Sequence, residues 1–123
     1  MRAFEGDLVV RSLDDDCLLW RLEQPIRHGG ITVPAGFETD AASIPKVIRV
    51  ALPAWGKYAR AAILHDWLYA NLAWGNTLPG VPTREAADRL FRDAMIASNV
   101  PAPLAWAMWA AVRLFGSRRA KLR

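Results

Sequence analysis

From Tyr58 to Leu72 the chain runs through Ala, Ile, Leu and aromatic residues with few breaks. The stretch is too long for a single strand, so its length predicts a helix. At about 100° per residue, Tyr58, Ala62, His65, Tyr69 and Leu72 share one face, with Asp66 beside it. Arg60, Trp67 and Asn71 fall opposite. An apolar helix that carries an imidazole, a carboxylate and a phenol limits what the chain can fold into. Those groups must meet partners on another element, because an unpaired buried polar group or charge is costly.

A second helix supplies candidate partners. Thr83 after Pro82 is an expected N-cap, with Glu85 in the first turn. Ala87, Leu90, Phe91, Ala94, Met95 and Ser98 form an apolar arc, and Arg89, Arg92 and Asp93 are expected to face water. Asp88 lies about 20° outside the arc, and Arg84 falls within it. If the two helices pack antiparallel, His65 and Asp88 meet, and Tyr69 reaches the same carboxylate. The ordinary alternatives are a satisfied core or surface histidine and a local Asp88–Arg84 pair at i, i+4.

Before these helices the pattern is that of strands. Asp7–Arg11 and Cys17–Leu22 flank the acidic turn Asp14-Asp15-Asp16, and Ile31–Val33 follows the turn His28-Gly29-Gly30, where His28 is expected to be solvated. Ser43 can cap a short helix from about Ile44 to Ala51, and Asp40 can cap or order the preceding turn. Thr39–Ser43 could instead deliver a carboxylate or hydroxyl toward His65. Asn76 to Pro82 reads as a surface connector able to act as a rim or lid. The expected fold is α+β, one domain over 1–123. A small antiparallel sheet over 1–40 precedes a bundle of three main helices plus a short one over 41–123.

A single cysteine, Cys17, excludes an internal disulfide and a zinc site built on paired thiols. No apolar stretch reaches the length of a membrane span, and the N-terminus lacks a signal-peptide pattern, so a reducing cytoplasm is the expected setting. The net charge of +4 is uneven: Arg113, Arg118, Arg119, Lys121 and Arg123 crowd the C-terminus. Before them, Leu104–Phe115 is apolar almost all round. It is expected either to be buried or to lie at a bilayer interface, with Trp106 and Trp109 among the headgroups and the basic tail on anionic lipid. Nucleic acid ranks third, since no recognition fingerprint accompanies the tail.

Four segments together resemble domain-of-unknown-function family 1353: Val33–Pro45, Tyr58–Tyr69, Arg84–Phe91 and Val112–Gly116. That resemblance implies a tailed-phage or prophage context, near tail or lysis genes, in the host cytoplasm or in the virion. Locally, His65-Asp66-x-x-Tyr69 with Asp88-x-x-Phe91 is similar to the paired-helix motif of phospholipases A2. This similarity implies that His65 is the base for water, that Asp88 orients it with Tyr69 bonded to Asp88, and that Asp66 binds calcium. Backbone or side-chain ligands near Gly56 and Asp40 would complete the calcium site. The motif's glycine-rich calcium loop corresponds to Pro53–Lys57, which has one glycine, and its flanking disulfides are absent. The leading expectation is a phage-associated hydrolase of envelope phospholipids. The alternative is a non-catalytic virion or tail assembly protein in which the same residues fix helix packing. A Ser43–His65–Asp88 acyl-transfer triad is a further option, but it lacks a Gly-x-Ser-x-Gly elbow.

Overall fold

The computed structural model describes residues 4–13, 20–39 and 55–122. Cys17, Asp40, Ser43 and the short helix expected near Ile44–Ala51 lie outside the described residues.

Strands β1 (Val10–Ser12), β2 (Trp20–Leu22) and β5 (Glu38–Thr39) form one antiparallel sheet in the order β1-β2-β5. Strands β3 (Ile26–His28) and β4 (Ile31–Val33) form a hairpin. Its two-residue loop, Gly29-Gly30, has φ of 58° at Gly29, the left-handed conformation that tight hairpin turns require. Side-chain alternation sends Leu22, Ile26, Ile31 and Val33 inward. The N-terminal segment joins the hairpin through a Glu5–Arg27 bridge. There Gly6 (φ 96°) approaches so closely that a Cβ would lie 2.6 Å from the Pro25 carbonyl oxygen.

Three helices follow: α1 (Trp55–Ala73), α2 (Arg84–Ala97) and α3 (Ala102–Leu122). The α+β expectation is met. β3 and β5 were not foreseen: the first follows Pro25 directly, and the second is two residues long. His28 closes the hairpin half-buried, with its ring 4.9 Å from that of Phe4.

α1 packs against α2, α3 and β4, so it is covered on several sides, and Ala59 and residues 61–66 and 68–71 are all buried. Its second face meets the sheet through Trp67, set edge-on to Phe37 with ring centroids 5.1 Å apart. Asn71, buried on that side, donates to the Trp67 carbonyl at 2.8 Å. The connector before α2 is anchored by buried Val81, bridged to Leu78.

α2 begins as its sequence predicts. Thr83 is extended, and its hydroxyl accepts from the Ala86 N–H at 3.1 Å. It ends at Ser98, followed by Asn99 at φ 69° and a Val100 N–H bond back to the Met95 carbonyl at 3.0 Å. This left-handed stop reverses the chain, and Pro101 leads into α3. Arg92 departs from expectation. Its side chain is 15% exposed and its guanidinium lies 4.3 Å above the Trp106 ring and 5.6 Å from that of Trp109. The ring faces attract the cation, and its Nε donates to Asp93 Oδ1 at 3.2 Å.

Candidate functional site

α1 and α2 bring His65, Tyr69 and Asp88 together in the core, where they are 3%, 1% and 0% exposed. His65 Nε2 is 2.7 Å from Asp88 Oδ1, and the Tyr69 hydroxyl donates to that same oxygen. The His65 ring is held between those of Tyr69 and Phe91, at centroid distances of 4.2 and 4.7 Å. The meeting inferred from helical spacing is therefore present.

The fourth member comes from α3. Arg113 Nη1 donates to Asp88 Oδ2 at 2.7 Å, with 29% of the arginine side chain exposed. Sequence reasoning placed Arg113 in the basic tail, and that placement is corrected: it is a core anchor. The signal was available, since Arg113 is the lone cation within the apolar run Leu104–Phe115. No Arg84–Asp88 ion pair forms among the described residues, because Asp88 has turned inward to three other donors.

Burial alone would raise the Asp88 carboxyl. The hydrogen bonds from His65 and Tyr69, the His65 charge and the Arg113 bond outweigh it and hold the group below the ordinary carboxylate range. Asp88 is thus a carboxylate and can only accept. His65 Nε2 must then carry a proton, and in the neutral ring the lone pair is on Nδ1. Nδ1 has no hydrogen-bond partner among the described residues. Burial, with help from Asp88, raises the Tyr69 phenol. Asp88 in turn raises Arg113.

These shifts fix the sign of the pH dependence. A depressed carboxyl stabilises the fold fully above its unfolded value, near 3.8, and that stability is lost as pH falls through the lower folded value. A raised phenol acts oppositely: its contribution is full below 10.0 and is lost as pH rises beyond it. Melting temperature should therefore be flat near neutrality and fall below about pH 4. Asp88→Asn should remove part of that acid slope, measurable by melts across pH 2–7. An unchanged slope in the variant would refute the assignment.

The calcium expectation finds little in the described part. Asp66 is buried at 1%. Gly56 lies in the first turn of α1 rather than in a loop ahead of it, so its carbonyl is directed along the helix. Among the described residues no three His, Cys, Asp or Glu side chains group to hold a metal. Calcium takes about 6–8 oxygen ligands, so the described residues do not by themselves make its site.

The expected membrane-facing residues divide. Trp106 is 49% exposed and Leu114 73%, and Ala107 and Ala110 are exposed on the same side of α3. Trp109 is half-buried beneath Arg92, with its Nε1 buried and without a partner. It packs against Arg92 and Trp106 at the α2–α3 junction. Arg118, Arg119 and Lys121 ride on the last turns of α3, and their side chains lie outside the described part. No helix among the described residues is long and apolar enough to cross a membrane.

The fold and the network define an α+β protein built around a buried His–Asp–Tyr–Arg cluster shared by three helices. The chain belongs to the family described as "Protein of unknown function (DUF1353)", whose sequence model matches residues 19–112 and so spans the strands β2–β5, α1, α2 and the first half of α3 up to Val112. It is also similar to the uncharacterized protein y4iH of Sinorhizobium fredii (strain NBRC 101917 / NGR234), at 37% identity over 83 residues. That match covers 66% of this chain and 31% of the relative, so the chain spans about a third of that protein's length. No solved structure matches the chain.

Proposed function

We propose that the chain is a phage-associated hydrolase of phospholipid esters, with His65 as its general base. The observation that carries this reading is the 2.7 Å contact between His65 Nε2 and Asp88 Oδ1: an ionised Asp88 calls for the ring proton on Nε2, which puts the lone pair on Nδ1. In the reaction, Nδ1 takes a proton from water as the oxygen attacks the ester carbonyl. The same proton then passes to the departing alkoxide as the carbon–oxygen bond breaks, giving a fatty acid and an alcohol. Asp88 balances the transient imidazolium, and Tyr69 and Arg113 keep the carboxylate in register. The exposed Trp106–Leu114 side of α3 and the basic residues beyond it fit an anionic bilayer as the place of work.

The second reading is a non-catalytic phage assembly protein in which the cluster fixes helix packing. It is favoured by the 3% exposure of His65, which nearly seals the ring.

His65→Gln separates the two. With a fluorescent phospholipid, assayed with and without added calcium, the hydrolase reading expects turnover by the wild type and none by the variant, whose melting point also falls with the loss of the buried bond to Asp88. The assembly reading expects no turnover by either and a melting point lowered by several degrees, since a broken buried hydrogen bond costs about 1–3 kcal/mol.

A further inference from the structure

Arg84 is the first residue of α2 and is half-buried. Its Nη1 is buried and has no hydrogen-bond partner. The acceptor that helical spacing offers, Asp88, is already committed to His65, Tyr69 and Arg113. Arg84 nevertheless stays beside that cluster, close enough for its guanidinium to bear on the Tyr69 hydroxyl both by charge and by hydrogen bonding. Arg113 meets the same carboxylate as Tyr69 and spends one N–H on Asp88, although a guanidinium has five. Arg84 thus precedes Asp88 by one turn of α2, and Arg113 bonds Asp88 from α3. The next carboxylate, Glu85, also bears on Arg113, but it is exposed and lies 3.7 Å from Arg89.

A buried N–H of a cation left without an acceptor is costly, so the unpartnered Arg84 Nη1 beside a second, partly exposed guanidinium calls for an acceptor from outside the chain. We propose that Arg84 and Arg113 form a binding site for a phosphate group. Planar N–H forks suit a tetrahedral oxyanion bidentately, and the excess of cation over anion in the cluster supplies the charge. The site adjoins Tyr69 and Asp88, one helix turn from His65. If the chain is a phospholipid hydrolase, the phosphate is that of the substrate headgroup, and the site selects anionic over neutral esters. This last step rests on the hydrolase reading; the phosphate site does not.

The test uses the whole chain with inorganic phosphate, followed by thermal shift and calorimetry at constant ionic strength against chloride. Phosphate should raise the wild-type melting temperature and bind at least about tenfold more weakly to Arg84→Gln, the loss expected for one charge-assisted contact. Arg84→Lys keeps the charge without the fork and should fall between them. Phosphate and chloride acting alike on the wild type, or equal phosphate binding by all three proteins, would overturn the site. The second arm compares a glycerophospholipid with an uncharged ester of the same acyl chain. Arg84→Gln should lower kcat/KM for the first about tenfold more than for the second. Equal effects on both would overturn substrate selection by phosphate. No turnover of either ester, with phosphate binding still lost in the variant, would remove the hydrolase and keep the site as one for free phosphate.

Discussion

Asp88→Asn should lower the melting temperature by roughly 10–20 °C and abolish any ester hydrolysis, the largest effect expected of a single substitution in this chain. The side chain keeps its size, so no cavity forms. What changes is hydrogen-bonding character. Three donors converge on Asp88, from His65, Tyr69 and Arg113. An amide has one acceptor oxygen and adds two N–H groups that face other donors. The Arg113 charge also loses its counterion beside a group that is 0% exposed. Removing one partner of a buried ion pair costs about 3–5 kcal/mol, and a domain of this size loses about 4 °C per kcal/mol. A double-mutant cycle with Arg113→Met should recover part of the loss, because no cation is then left unpaired. A fall of less than about 3 °C in Asp88→Asn would show that the network contributes little to the fold.

The second large effect concerns the end of α3. Arg118, Arg119, Lys121 and Arg123 follow the exposed Trp106 and Leu114. Each basic residue near an anionic surface contributes about 1 kcal/mol, so changing all four to Ser should weaken vesicle binding by about three orders of magnitude. In flotation assays the wild type should rise with anionic liposomes, rise less at moderate salt than at low salt, and stay down with neutral ones. The quadruple variant should stay down with both. Trp106→Ala should also weaken binding, whereas Trp109→Ala should act chiefly on stability, because Trp109 packs under Arg92. Equal recovery with neutral and anionic liposomes, or no flotation at all, would count against work at a membrane and favour the assembly reading.

The α1–α2 part of the site is legible in the sequence because helical geometry is short-ranged. His65 and Tyr69 are one turn apart, and Asp88 sits at the edge of an arc whose phase Ala87, Phe91, Ala94 and Met95 define. Two amphipathic patterns are enough to bring these residues together. Arg113 is harder to place because α3 is apolar almost all round, so its sequence does not say which side faces α2. That choice is made by packing, which buries Ala105, Met108 and Val112 and leaves Trp106 and Leu114 outside. Arg92 was misplaced for a related reason. A cation on a polar arc is ordinarily solvated, and the indoles that hold it come from the unphased helix. In the sheet, β4 alternates as its sequence does, whereas β5 is too short to carry a period.

The two oxygens of Asp88 divide their work: Oδ1 holds α1, and Oδ2 holds α3. This division bears on how the helices come apart. Peeling α3 away would strand Oδ2 in a half-dry core, and opening α1 would strand Oδ1. Each partial opening therefore carries an electrostatic penalty that full unfolding, with every charge hydrated, escapes. The three helices are thereby joined into one cooperative unit. Slow-exchanging amides in α1, α2 and the first half of α3 should report a common opening energy rather than a graded series.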